Sequence, residues 1–295
     1  MENNREVLLK VEHLCQYFRL GRKDLKAVDD VSFEVKKGGS LGIIGATGSG
    51  KSTIIKLLLR FYDVNEGGIY IDGEDIRTID KVRLYKKFSS ALQQDFLYAD
   101  TIEENIKFGR ELSHDDVVRA AKIAQADEFI MGFNDDYETM ISEKGASLSG
   151  GQKQRMSIAR AIVKKPDILI FDDSTSALDL STEAALHKAL KENLQGVTIV
   201  MIAQRIASVM RADKIAVLDD GQICAFGTHK ELMQSSDVYR DIYFSQMIGV
   251  WTAALFLYAI TIAVTVSVGL PMFAIDVGAG DIMLYFALGI LSVLA

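Results

Sequence analysis

The chain has 295 residues, 25% of them charged and 49% hydrophobic, with a formal net charge of −7. That length suits one large domain or two small ones, and an acidic balance with no basic stripe gives no support to nucleic-acid binding. Cys15 and Cys224 are too few and too far apart for a disulfide framework or a zinc site, and MENNREVLLK lacks the apolar core of a secretory signal.

Residues 1–245 read as one α/β unit. LLKVEH (8–13) and AVDDVSFEV (27–35) alternate apolar and polar residues and predict an antiparallel pair of strands. SLGIIG (40–45) predicts a short buried strand, which runs into a glycine-rich turn and then a helical stretch, IIKLLLRF. The turn, GATGSGKST (45–53), fits G-x-x-x-x-G-K-[ST] in the strand-to-helix context that this motif requires. Gly45, Gly48 and Gly50 allow backbone N–H groups to close around phosphate oxygens. The helix from Lys51 aims its positive dipole end at the same anion. Lys51 is expected to reach the β- and γ-phosphates of a nucleotide and Ser52, followed by Thr53, to hold Mg²⁺.

GGIYIDG (67–73) predicts another strand bounded by turns. From about 95 to 165 the chain becomes helical, with TIEE (101–104) and SHDD (113–116) placing a hydroxyl three residues before an acid, as a helix cap does. After 166 strands and helices alternate again in DILIFD, TEAALHKALKENL, VTIVMIA, DKIAVLDDG and QICAFG. This order predicts a mainly parallel sheet carrying a helical insertion. In ILIFDDSTSALD (168–179) a buried strand ends on two carboxylates, and strand alternation would send Asp172 and Asp173 to opposite faces. Asp172 is the expected second magnesium partner of the phosphate loop, which together make a nucleotide triphosphatase.

The C-terminal end differs in kind. No charged residue occurs from Ile242 to Ile275. IGVWTAALFLYAITIAVTVSVGLPMFAI exceeds the roughly 20 apolar residues that cross a bilayer. DVGAGD (276–281) and IMLYFALGILSVLA then follow, so 246–295 reads as a hydrophobic membrane segment of one full helix and a partial second.

LSGGQKQR (148–155) resembles the signature sequence of ATP-binding cassette (ABC) ATPases, and the other motifs of that family stand in order around it. Gln94 in LQQD matches the glutamine loop, SALD (176–179) the loop after the acidic strand and AQR (203–205) the switch region. Phe18, with Tyr17 beside it, stands where the family stacks an aromatic ring on adenine. The resemblance covers 7–245; SEKGASLSGGQ and FLYADTIEENI look like the exporter branch, whereas the first 30 or so residues are closer to oligopeptide-importer ATPases. It implies a P-loop NTPase fold with a parallel-sheet core, an antiparallel β subdomain and a helical subdomain, with ATP and Mg²⁺ as cofactors. It also implies that Gln94, like Asp172 and Ser52, serves the metal.

S-G-G-Q has the form of a capping box opening a helix over 150–164. Ser149, Gly150, Gly151 and Gln152 then form an anion-binding helix start, which in the family faces the γ-phosphate held by a second subunit. Two departures fall in the catalytic pocket. Asp173 replaces the usual glutamate, shortening the side chain by one bond of about 1.5 Å. A general base must sit within roughly 2.6–3.2 Å of its proton donor, and a misplacement of about 1 Å can cost on the order of 100-fold in rate. Gln204 stands in place of the switch histidine, and a neutral amide cannot become a cation.

This pattern resembles the degenerate-site subunit of a heterodimeric exporter, slow at its own site while its signature completes a partner's site. The expected partners are a second ABC subunit, transporter membrane domains and membrane lipid. The expected location is the cell membrane with the ATP-binding domain on the cytoplasmic side. The membrane segment following the ATPase suits a piece of a tandem transporter, a fused or truncated reading frame, or a C-terminal anchor. The alternative is a regulatory ABC ATPase that clamps a soluble partner, which the uncharged stretch disfavours.

Overall fold

The alternating stretches near the N-terminus form two long antiparallel strands in the computed structural model, β1 (Val7–Leu20) and β2 (Lys23–Lys36), paired from Val7↔Lys36 to Leu20↔Lys23. The structure describes residues 6–21, 23–92 and 96–249. A turn leads to β3 (Ser40–Gly45), whose four central residues are buried, and then to helix α1 (Lys51–Leu58). The apolar run IIKLLLRF does not stay helical to its end. Arg60 turns to φ +53° and its guanidinium donates to the carbonyls of Ile76 (3.0 Å) and Ile79 (3.1 Å). Those bonds fix the chain as it returns to the first sheet through β4 (Glu66–Ile71) and β5 (Glu74–Asp75), giving the order β2-β1-β4-β5.

Helix α2 (Lys81–Lys87), capped by the Asp80 carboxylate, leads directly into β6 (Phe88–Ala91). The helical insertion follows. A short strand β7 (Asp100–Thr101) opens α3 (Ile102–Lys107), capped by Thr101, and Ser113 caps α4 (His114–Ile123), as the hydroxyl–acid spacing predicts. After α5 (Asp127–Ile130), β8 (Met140–Ile141) pairs with β7, and α6 (Gly150–Val163) packs against α3 and α4.

Asn105 of α3 is 1% exposed and works as an internal clamp on this insertion. Its Oδ1 accepts from the Tyr98 N–H at 2.9 Å, and its amide donates to the carbonyls of Tyr98 (3.0 Å) and Thr101 (3.0 Å). Asn105→Ala strands several buried backbone groups. It is expected to cost about 2–3 kcal/mol, read as a lower denaturation midpoint and earlier proteolysis within 96–110.

The last third supplies the rest of the parallel core: β9 (Ile168–Asp172), α7 (Leu180–Asn193), β10 (Thr198–Ile202), α8 (Ile206–Val209), β11 (Lys214–Asp219), β12 (Gln222–Gly227) and α9 (His229–Ser235). The sheet order is β12-β11-β3-β10-β9-β6, parallel except for β12, which returns as a hairpin on β11. Ile43, Ile170, Val200 and Ala216 run across its four inner strands, and Ile54, Leu57 and Leu58 of α1 belong to the same core.

Met1–Ser236 and Asp237–Ala295 form separate compact units, and the described part of the second, 237–249, is helical. No helix among the described residues is long and apolar enough to cross a membrane. The expected membrane segment lies, from residue 250 on, outside the described residues.

Candidate functional site

The parallel strands β3, β10 and β9 end side by side, and the polar residues of interest sit in the loops just beyond them. At Gly45, the end of β3, a Cβ would lie 2.2 Å from the Leu218 carbonyl oxygen and 2.7 Å from Ser49 Oγ, so no larger residue fits. Lys51 opens α1 yet is only 8% exposed. Its Nζ donates to the carbonyls of Gly45 and Ala46, both at 2.7 Å, and to Ser49 Oγ at 3.3 Å. Burial lowers the ammonium's pKa, and the nearby Asp173 and Asp172 carboxylates oppose that shift. The phosphate loop and the two aspartates, more than 120 residues apart in sequence, therefore share one electrostatic environment. Ser52 is exposed and Thr53 half-buried on the same helical turn.

Strand alternation does not govern the two aspartates, because only Asp172 lies on the strand. β9 ends at Asp172, paired with Ile202 of β10, and Asp173 leaves the sheet with φ +50° while its N–H donates to the Ile202 carbonyl at 2.8 Å. Asp173 is 8% exposed. Its Oδ2 accepts from Gln204 Nε2 at 3.0 Å and its Oδ1 from the Gln204 N–H at 3.5 Å. The two residues that depart from the expected pattern thus touch each other. Burial pushes the Asp173 carboxyl pKa up, against the pull of the Gln204 N–H, Arg205 and Lys51. Burial also raises that of Asp172, helped by the Asp173 charge and opposed by Lys56 and Lys51.

The signature stretch forms the capping box that its sequence predicts. Ser149 Oγ accepts from the Gln152 N–H at 3.3 Å and Gln152 Oε1 from the Ser149 N–H at 2.8 Å, at the start of α6. One turn on, Gln154 donates to Ser176 Oγ (3.1 Å) and accepts from the Ala177 N–H (2.9 Å). A Cβ on Gly151 would meet the Ala177 carbonyl oxygen at 3.1 Å. The loop 174–179 is held from its other side by Arg205, which donates to the carbonyls of Ser176 (2.6 Å) and Leu178 (3.3 Å). Asp179 caps α7 by accepting from the Thr182 N–H (2.9 Å), Thr182 Oγ1 (2.7 Å) and Ser181 Oγ (2.5 Å), and these bonds hold its carboxyl well below the usual range.

Other candidates fall elsewhere. Gln94 lies outside the described residues. Phe18 is half-buried on β1 with its ring edge-on to Tyr62, centroids 6.0 Å apart. The neighbouring Tyr17 is tied down through its N–H to Asn65 Oδ1 at 2.8 Å and its hydroxyl to Asp29 at 3.3 Å. Sequence reasoning missed Glu183, which is 4% exposed, accepts from Ser208 Oγ at 2.5 Å and contributes to the raised pKa of Asp173. Its only sequence signal was an acid in the first turn of a helix that read as ordinary.

These residues fit a magnesium nucleotide. The loop has close-approach glycines and a buried ammonium for phosphates, and Ser52 and Asp172 are hard oxygen donors. Among the described residues no group of three or more His, Cys, Asp and Glu side chains is placed to cage a metal. A pair of oxygen donors suits Mg²⁺, which usually keeps several positions for phosphate and water.

Residues 28–176 match the family model described as ABC transporter. The uncharacterized ABC transporter ATP-binding protein YfiB of Bacillus subtilis is 44% identical over 238 residues, 80% of this chain and 41% of that protein. The ATP-dependent lipid A-core flippase of Vibrio vulnificus is 42% identical over 219 residues, 74% of this chain and 38% of that protein. A solved structure of a bacterial Atm1-family ABC exporter with ATP bound superposes with a TM-score of 0.77 at 36% identity, over 83% of this chain and 43% of that one. The chain spans about two fifths of the length of these relatives.

Proposed function

Since this chain belongs to the ABC transporter ATP-binding family, we propose that it is the Mg-ATP-binding part of an exporter-type transporter whose own site hydrolyses ATP slowly. The observation that carries the slow-site reading is the Asp173–Gln204 contact at 3.0 Å. A carboxylate must be ionised and aimed at water to act as a base. Asp173 is short, engaged by an amide, and buried so that its neutral form gains ground.

In this reading the phosphate-loop N–H groups and Lys51 bind and orient the β- and γ-phosphates. Ser52, Asp172 and Gln94 hold Mg²⁺, which neutralises phosphate charge. Phe18 stacks on adenine. Ser149, Gly150, Gly151 and Gln152 face the ATP of a second ABC subunit, so that ATP closes a head-to-tail pair and hydrolysis with release reopens it. Residues 1–245 are the ATP-binding domain and 246–295 the beginning of a membrane segment, with the domain on the cytoplasmic side of the cell membrane.

Likeness to relatives named as exporters and a flippase supports the transport role. So does an exposed aromatic patch on the helical insertion, Phe96, Tyr98 and Phe108, with the Arg160 guanidinium 4.6 Å from the Phe108 ring centroid. An apolar patch of this kind suits a cytoplasmic loop of transporter membrane domains.

The test is steady-state ATP hydrolysis by the full chain and by Asp173→Glu with Gln204→His. The double variant is expected to gain about 100-fold, the order that a misplacement of about 1 Å costs. Fast turnover by the parent chain alone, or no gain in the variant, overturns the slow-site reading.

A further inference from the structure

At the end of the core sheet opposite the phosphate loop, where β3 and β10 begin, a cleft of about 950 Å³ opens between α7 and the strand ends. Small-molecule sites occupy roughly 300–1,000 Å³. Lys188 and Lys191 line it from α7, Lys37 from the turn before β3, and Arg211 from the segment after α8. All four are exposed, and none forms an ion pair among the described residues. His187 also lines the cleft, but burial lowers its imidazole pKa, as does the Arg211 charge, against the pull of Glu183, so it adds no charge to the rim. Its Nε2 is buried without a hydrogen-bond partner among the described residues, 4.0 Å from Glu183 Oε1.

Among the described residues two acids line the cleft, and one of them, Asp213, already accepts from the Ser40 N–H (2.7 Å) and hydroxyl (3.0 Å). The other, Glu6, is exposed. Leu194, Ile199 and Met201 supply apolar wall. Among the described residues no Phe, Tyr or Trp lines it. The cleft therefore sets a cationic rim over an apolar floor.

We propose that this cleft binds a small amphipathic anion, with a phosphate-like head on the Lys188–Arg211 rim and a short apolar body against Leu194 and Ile199. The site is separate from the nucleotide site, since the two lie at opposite ends of β3 and β10.

Calorimetric titration of the full chain in phosphatidylcholine nanodiscs tests it, with empty discs subtracted. Hexyl phosphate is expected to bind one saturable site, with inorganic phosphate and 1-hexanol each at least about ten-fold weaker. Lys188→Glu with Arg211→Glu is expected to weaken hexyl phosphate by about ten-fold or more. Lys37→Glu with Lys191→Glu gives an independent second pair with the same expectation, and matched melting curves identify which pairs retain the fold. Lys51→Ala is expected to leave this binding unchanged. The proposal is overturned by any of four results: no saturable binding, binding indifferent to a folded charge-reversed pair, binding lost in Lys51→Ala, or inorganic phosphate or hexanol binding as tightly as hexyl phosphate.

Discussion

Lys51→Ala is expected to remove ATP binding at concentrations that saturate the parent chain. Lys51 Nζ already sits against the Gly45 and Ala46 carbonyls at 2.7 Å, so its charge is positioned at the centre of the loop before any phosphate arrives. Hydrogen bonds to charged groups contribute about 1.5–3 kcal/mol each. Losing two to phosphate oxygens corresponds to a loss of about 100- to 10,000-fold in affinity. The truncation also removes the ammonium's bonds to the Gly45 and Ala46 carbonyls, the second of which keeps only the Ser49 N–H at 3.2 Å, so the loop itself would relax. Lys51→Arg is expected to fail as a rescue, because a planar guanidinium cannot replace a compact ammonium in a buried pocket. Titration with a fluorescent ATP analogue reads both variants, and affinity within a few-fold of the parent would contradict this role for Lys51.

Gly50→Ala is the second large effect, and Gly48→Ala is its internal control. Gly50 caps α1 at φ +100°, and a Cβ there would lie 2.2 Å from the Ala27 carbonyl oxygen. The obstacle is backbone of β2, which cannot swing aside as a side-chain tip could. Gly48 has φ +86° but open space within 4 Å of the same Cβ. A left-handed non-glycine residue costs on the order of 1–3 kcal/mol. Gly48→Ala should therefore cost about 1–2 kcal/mol. Gly50→Ala adds the clash and should reach about 3–4 kcal/mol, with loss of ATP binding as α1 shifts. Thermal melting of the full chain with and without ATP separates the two, and equal costs would show that the contact with Ala27 relaxes freely.

What the sequence makes legible is whatever rests on near neighbours. The phosphate loop, the caps at Thr101 and Ser113, and the capping box at Ser149 are each written within a few residues, and each appears where its spacing places it. The hairpin return of β12 is local too, since Asp220-Gly221, both at positive φ, turn β11 directly into it. The early end of α1 depends on partners elsewhere in the chain. Arg60 leaves the helical path because Ile76 and Ile79 carbonyls await its guanidinium, and nothing in IIKLLLRF encodes that.

The Asp173–Gln204 contact is of the same kind. Each residue stands out in its own motif, but their meeting requires β9 and β10 to be neighbours in register, with Ile202 opposite Asp172. Asp173 also escapes the alternation rule, because it lies one residue past the strand in a left-handed conformation. Asp179 could have been read more fully: an aspartate before L-S-T-E is an N-cap signal, and capping α7 is what its carboxylate does here.

The loop 174–179 has a consequence for rhythm. It begins next to Asp173, is gripped by Arg205 beside Gln204, and ends by gripping the signature helix through Gln154. In the proposed head-to-tail pair that helix would face the opposite ATP. Under the proposed pairing the loop would link the two pockets, so that neither would open or close on its own schedule. A chain whose own pocket fires slowly would still act as an escapement: it holds its partner's site in place through one cycle and lets it go at the next.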